Sequence, residues 1–204
     1  MSVIVGIKQK GIVYIGADSQ ITKGGSKKSQ LHPNNRKVWH PDEMDSLLMG
    51  SAGLVKGINL TKAINGLVDQ KTLRENKIDF HYVINNISKK LMEKMEENKL
   101  IDSKDFNPRM QNEYLFADRD SLFTISTDGS VMQIEDYIAI GSGSIEAMGS
   151  LLSTEKEDTI TRITKAIEAA IQSDIFVDYP IIIMNTKDDK VDIIQEKAKQ
   201  TINQ

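Results

Sequence analysis

Cysteine is absent from the 204 residues. That excludes a disulfide scaffold, a thiol nucleophile, a Cys-ligated zinc site and an iron–sulfur cluster. No apolar run approaches the ~18 residues that a membrane-spanning helix requires. The opening Met1-Ser2-Val3-Ile4-Val5-Gly6-Ile7-Lys8 has neither a basic leading region nor a long apolar stretch, so it does not read as a secretory signal. Positive charge is not in excess either. Lys and Arg number 26 against 29 Asp and Glu, a net charge of −3, so there is no electrostatic footprint for DNA or RNA. The expected setting is a soluble, cytoplasmic protein.

Nucleotide, metal and triad motifs are missing as well. There is no Walker A sequence. Gly141-Ser142-Gly143 invites a dinucleotide reading, but the third glycine of that fingerprint falls at Glu146, a bulky anion where a pyrophosphate would approach. His32, His40 and His81 lack zinc-ligand spacing. Met49 and Ile140 stand where a Gly-x-Ser-x-Gly elbow needs its first glycine, so a Ser-His-Asp triad has little support. No cofactor and no metal ion are expected. Lys89, Lys90, Glu93, Lys94, Glu96 and Glu97 form a mixed-charge face that reads as a solvated helix surface.

What is present is a clear alternation of periods. Val3 to Ile7 and Ile12 to Ala17 read as two strands of a hairpin. A three-residue loop, Gln9-Lys10-Gly11, pairs Lys8 with Ile12 and sets Ser2 opposite Asp18. A two-residue loop shifts that pairing by one and leaves the two as near neighbours. The polar stretch Ile21 to Asn35 reads as a hairpin arm or loop. Strands resume at Lys37-Val38-Trp39 and Ser46 to Ser51.

Leu60, Ala63, Ile64, Leu67 and Val68 then follow helical spacing, as do Phe80, Val83, Ile84, Ile87, Leu91 and Met95, with an end near Asn98. Ile101 to Gln111 is a connector. Tyr114 to Ala117, Leu122 to Ser126, Val131 to Ile134 and Ile138 to Ile140 read as strands. Helices are expected from Glu146 to Leu152 and along Ile160, Ile163, Ile167, Ala170 and Ile171. Pro180 to Met184 and Val191 to Ile194 close the chain, and a polar tail from about residue 196 frays. Paired helices between antiparallel strand runs argue for an α+β layered sandwich rather than a doubly wound sheet. With no internal repeat and no linker, residues 1–204 are expected to form a single domain.

The chain resembles the family of proteasome β-subunits and the bacterial protease HslV. The likeness rests on ordered pieces: Ser2 to Lys8, Gly11 to Ser19, Lys37 before a strand, Leu48-Met49-Gly50-Ser51-Ala52-Gly53, Leu122 to Ser130, Ile138 to Ser144 and Ala166 to Asp174. It spans roughly residues 2 to 195, and only the ordered set is specific. The resemblance implies the N-terminal-nucleophile (Ntn) hydrolase fold, a four-layer αββα sandwich of two antiparallel sheets. It also implies a threonine-type endopeptidase that cleaves unfolded polypeptide inside a homo-oligomeric ring, with an ATPase unfoldase as a possible partner.

By that resemblance Ser2 takes the place of the N-terminal threonine, once Met1 is removed. Asp18 and Lys37 match the acidic residue and the lysine, Gly53 the oxyanion glycine, and Ser142 with Asp174 the accessory pair. The chemistry is coherent. A free α-amine, with a reference pKa of about 7.7–8.0, can serve as base for the hydroxyl of its own residue. A lysine ammonium nearby disfavours the protonated amine.

Three departures stand out. Serine lacks the methyl that restricts threonine's rotamer, and the Asp18 to Lys37 segment is a few residues longer than the family's. Ile175-Phe176-Val177-Asp178 follows Asp174 where the family places serine and glycine. Two rival functions share the fold: a catalytically silent ring-forming subunit and a small-molecule amidohydrolase.

Overall fold

The computed structural model describes residues 2–29, 31–41, 44–69, 71–72, 78–102 and 107–196. Met1 and the end of the polar tail lie outside the described residues, so the expectations placed on them are not addressed by the fold.

The first hairpin sets the frame. β1 (Val3–Gln9) pairs antiparallel with β2 (Ile12–Ala17), and Gln9 faces Ile12. The loop is therefore two residues, Lys10 and Gly11, both at positive φ (52° and 75°). That geometry twists the same way as the strands it joins. It corrects the three-residue alternative: Ile4 faces Ala17, so Asp18 lies level with Val3 and diagonal to Ser2.

β1 and β2 belong to a five-stranded sheet completed by β12 (Tyr137–Gly141), β13 (Ile181–Asn185) and β14 (Asp192–Ile194), in the order β12-β1-β2-β13-β14. The second sheet runs β11-β10-β9-β6-β5. Its strands are β5 (Val38–Trp39), β6 (Leu47–Gly53), β9 (Asn112–Asp118), β10 (Ser121–Ile125) and β11 (Val131–Ile134). Every pairing is antiparallel in both sheets. Two short hairpins lie outside them: β3 (Gln20–Lys23) with β4 (Ser26–Ser29), and β7 (Ile101–Asp102) with β8 (Arg109–Met110).

Side-chain alternation builds the layers. Ile4, Ile15, Leu48, Leu115, Leu122 and Ile182 fill the space between the sheets. Val3, Val5 and Ile7 point the other way, onto α3 (Ser144–Ser153) and α4 (Thr159–Ser173). Leu47, Met49, Tyr114, Phe116 and Phe123 leave the second sheet toward α1 (Val55–Lys62) and α2. α2 runs through Phe80–Tyr82, a wider π-helical stretch Val83–Ser88, and Lys89–Glu97. The result is a four-layer αββα sandwich, the layering that the resemblance implies. Because both faces of the central strands are covered, those strands read as continuous apolar runs.

Two helix expectations are corrected. The spacing through Leu67 and Val68 predicts helix, but α1 ends at Lys62 and the chain turns at Gly66 (φ 63°). Asn65-Gly66 is the turn signal that wins. Leu67 and Val68 are buried all the same, so the periodicity reported burial rather than helix. In α2, helical spacing puts Ile84 on the apolar stripe, but Ile84 is exposed, where the π stretch breaks the 3.6-residue repeat.

Candidate active site

Asp18 directly follows β2, and its carboxylate accepts four hydrogen bonds from three partners. Oδ1 accepts from the backbone N–H of Val3 (3.1 Å) and Oδ2 from that of Gln20 (3.0 Å). The Lys37 ammonium, arriving just before β5, donates to both oxygens at 2.9 and 2.8 Å. The Asp18 side chain is 0% and the Lys37 side chain 4% exposed. Burial pushes the carboxyl's pKa up, while the ammonium and the two N–H groups pull the other way. Lys37 is therefore what compensates this carboxylate for its lost water.

Ser2 lies buried beside that junction. Its backbone nitrogen donates to Ser142 Oγ at 3.1 Å, and Ser142 Oγ donates back to the Ser2 carbonyl at 3.3 Å. Gly143 N–H reaches the same carbonyl at 3.5 Å. This embrace depends on Gly141, which sits at φ 91° with the site of a Cβ only 2.2 Å from the Ser2 carbonyl oxygen. Any larger residue would push the first strand away from the Gly141–Gly143 turn.

Gly53 closes β6 on the opposite sheet and has φ 132°, backbone territory that L side chains avoid. A Cβ there would meet the Gln111 carbonyl at 2.4 Å. Asn112 holds the turn from behind, donating to Ser51 Oγ (3.2 Å) and to the Leu54 carbonyl (3.1 Å). From Gly53 the chain enters α1, whose first turn borders the cleft.

Ser2, Lys37 and Gly53 share one cleft of about 260 Å3. Its walls include Ile21, Leu54, Val55, Ile58 and Phe176, with Gln20, Thr22, Asn35 and Asn59 supplying polar groups. A second hollow of about 280 Å3 lies beyond Gly53 and Ser142, with Glu113 on its wall. Glu113 Oε2 accepts from Gly141 N–H at 3.2 Å.

Five of the six expected site residues thus gather at one end of the sandwich. Asp174 is the exception in its bonding. As the C-terminal cap of α4 it spends Oδ1 on Phe176 N–H (2.9 Å), and its Oδ2 makes no hydrogen bond.

Sequence reasoning missed Gln20, Asn112 and Glu113. Gln20 ties the Asp18 junction to the Ile175 carbonyl (2.9 Å), a link between positions with no shared motif. Its place two residues after Asp18 was the available signal. No group of three or more His, Asp or Glu side chains among the described residues is placed to hold a metal ion. No helix among them is long and apolar enough to cross a membrane.

A family model described as Proteasome subunit matches residues 2–184. Solved structures give the same architecture. BPH from Thiobacillus denitrificans in complex with epoxomicin aligns with a TM-score of 0.66 at 16% identity, covering 90% of this chain and 97% of that one. Anbu (ancestral beta-subunit) from Yersinia bercovieri aligns at 0.69 and 14% identity, covering 95% and 87%. The eukaryotic HslV from Trypanosoma brucei aligns at 0.60 and 18% identity, covering 90% and 98%. No curated protein matches the sequence significantly.

Proposed function

We propose, from the premise that this chain belongs to the proteasome subunit family, that it is a peptidase with Ser2 as its N-terminal nucleophile. The observation that carries the reading is the buried Asp18–Lys37 pair at the Ser2 end of the first hairpin. An ion pair so fully withdrawn from water is costly to form, which argues for a purpose beyond stability.

Removal of Met1 turns the Ser2 nitrogen into an α-amine. That amine takes the Oγ proton while Oγ attacks the carbonyl carbon of a peptide bond. The charge that develops on the carbonyl oxygen falls to the Gly53 N–H, a contribution of roughly 3–4 kcal/mol in comparable sites. The tetrahedral intermediate collapses by breaking the C–N bond, and the ammonium returns the proton to the departing amine. Water, deprotonated by the same amine, then hydrolyses the ester and restores Ser2.

Lys37 lowers the amine's affinity for protons by charge repulsion. Asp18 holds Lys37 in place, and Ser142 orients the amine through the bond it now makes to the Ser2 nitrogen. Asp174 is assigned an accessory role through the Ile175–Phe176 loop, whose Phe176 borders the cleft.

The cleft walls favour uncharged, apolar substrate side chains, because the lysine that reaches them is already paired. We extend the proposal to a single-domain subunit in a homo-oligomeric ring in the cytoplasm, acting on unfolded polypeptide delivered by an ATPase unfoldase. Identical subunits with head-to-tail surfaces close into rings when the rotation permits.

The test joins intact mass, turnover and labelling. The mature protein should lack Met1, cleave neutral peptides and take up epoxomicin, the compound held by the similar BPH, at Ser2. Ser2→Ala should lose at least ~10³-fold in turnover, as removal of a nucleophile does, while staying folded. Wild-type rates in Ser2→Ala would end the proposal. Retained Met1 would favour the silent ring subunit, and turnover of small amides without peptides would favour the amidohydrolase.

A further inference from the structure

Lys62 lies in the last turn of α1 and reaches out to a different segment. Its ammonium donates to the backbone carbonyls of Arg36 (2.7 Å) and Asn34 (3.0 Å) and approaches that of Pro33 (3.5 Å). The same ammonium sits 5.0 Å from the centroid of the Trp39 ring, a cation–π distance. Three donors meet three carbonyls and an aromatic face, so the charge exchanges its water for a full set of partners. Burial and the neighbouring Arg36 guanidinium hold its pKa down at about 8, so it is charged at pH 7.

What it grips is the short 3₁₀ turn Pro33–Asn35 and the residue after it. The turn's backbone bonds are local: Asn35 N–H to the His32 carbonyl (2.8 Å) and Arg36 N–H to the Pro33 carbonyl (3.3 Å). Bonds of that span hold a turn's shape, and the Lys62 ammonium adds a tie from the turn to α1. Pro33, Asn34 and Asn35 are exposed, Arg36 is half-buried and Lys37 is buried.

Its ends bear on the cleft from two directions. Asn35 lines the cleft, and Lys37 carries the ammonium paired with Asp18. The gripping helix is the other wall. Val55, Ile58, Asn59 and Lys62 stand at helical spacings of three, one and three along α1, which puts them on one face. The first three line the cleft. α1 is itself anchored, since Lys56 donates to the Asn98 carbonyl at the end of α2 (2.9 Å).

We propose that Lys62 is a positioning residue, fixing the Pro33–Arg36 turn against α1 and so setting the width of the cleft between Asn35 and Asn59. The consequence for turnover rests on the peptidase reading; the clamp itself does not. Lys37 keeps its own anchor on Asp18, so releasing Lys62 widens the binding wall more than it disturbs the reacting groups. Substrate binding should weaken while the chemical step is largely spared.

The experiment is hydrogen exchange at pH 7 on the full chain, comparing wild type, Lys62→Met and Lys62→Arg, with peptide kinetics beside it. Lys62→Met should raise exchange across residues 33–38 by about tenfold or more, as loss of a charge-assisted hydrogen bond implies, with β1 and β2 unchanged. KM should rise by about the same factor and kcat by much less than that fall. Lys62→Arg keeps charge and donors and should restore both.

If Lys62→Met fails to fold, Lys62→Gln retains an amide donor without the charge and should show the same localised loosening. Unchanged exchange at 33–38, or a rise spread evenly over the chain, overturns the proposal. A wild-type protein without peptidase turnover would refute the peptidase reading, and the exchange data would still decide the clamp.

Discussion

Replacing Lys37 with methionine removes one charge and leaves another stranded. In the folded protein the Asp18 carboxylate is completely buried and bonded to Lys37 through both oxygens. Without the ammonium it keeps the N–H groups of Val3 and Gln20, which do not neutralise its charge. Removing one partner of a buried pair costs about 3–5 kcal/mol. For a chain of this size, at about 2–4 °C per kcal/mol, that is a fall in Tm of roughly 6–20 °C.

The loss carries a pH signature. Burial already raises the Asp18 pKa against the pull of Lys37, and deleting Lys37 lets it rise further. A carboxyl whose folded pKa lies above its unfolded value contributes stability below the unfolded pKa and loses it as pH rises through the folded one. The deficit of Lys37→Met should therefore be largest near pH 7 and shrink toward pH 4, where Asp18 takes up a proton. There only the lost hydrogen bonding remains, about 1–2 kcal/mol.

Urea unfolding of wild type and variant across pH 4–8 gives the two curves. Adding Asp18→Asn to Lys37→Met should recover part of the neutral-pH loss, because the stranded charge is gone. A deficit below about 1 kcal/mol at pH 7, or one equal at pH 4.5 and 7.5, would refute the account of the pair.

Two other residues give separate tests. Gly53→Ala forces a side chain into φ 132° and toward the Gln111 carbonyl, so it should cost about 1–3 kcal/mol and lower turnover; a thermally unshifted, fully active variant would show that the turn relaxes freely. Tyr114, whose hydroxyl shares a hydrogen bond with Thr61 (3.1 Å), is pushed up to about 12 by burial. Stability linked to it is intact below pH 10 and lost as pH rises through about 12, and the ultraviolet titration of wild type minus that of Tyr114→Phe should show a Tyr114 signal that ionises only with unfolding. Normal titration near 10 in the folded protein would contradict its environment.

The layers were legible because both sheet faces are covered, so Val3–Ile7 and Leu122–Ile125 announce themselves as apolar runs bounded by turns. Register was half legible. Gln9-Lys10-Gly11 admits two loop lengths, and the positive φ of Lys10 decides between them, something a lysine does not advertise. The end of α1 was hidden because Leu67 and Val68 stay in the core after the helix stops.

The gathering of Ser2, Asp18, Lys37, Gly53 and Ser142 came from resemblance, since single residues at strand ends carry no pattern of their own. Gln20, Asn112 and Lys62 act through backbone carbonyls or N–H groups of distant segments. Backbone partners leave no trace in side-chain chemistry, so these residues stayed unread.

The Asp18 junction also bears on when the molecule becomes competent. Ser2 and Asp18 come from one sheet, Lys37 and Gly53 from the edge and end of the other, and Ser142 from 140 residues further along the chain. No local stretch contains the set. A nascent or half-folded chain holds Ser2 but brings to it neither the Lys37 ammonium nor the turn at Gly53, and the two sheets must close on the Ile4–Leu48 layer before these meet. On the proposed reading, Ser2 lacks its partners until the fold is complete. On that reading, the assembly of the tertiary structure is itself the safety catch.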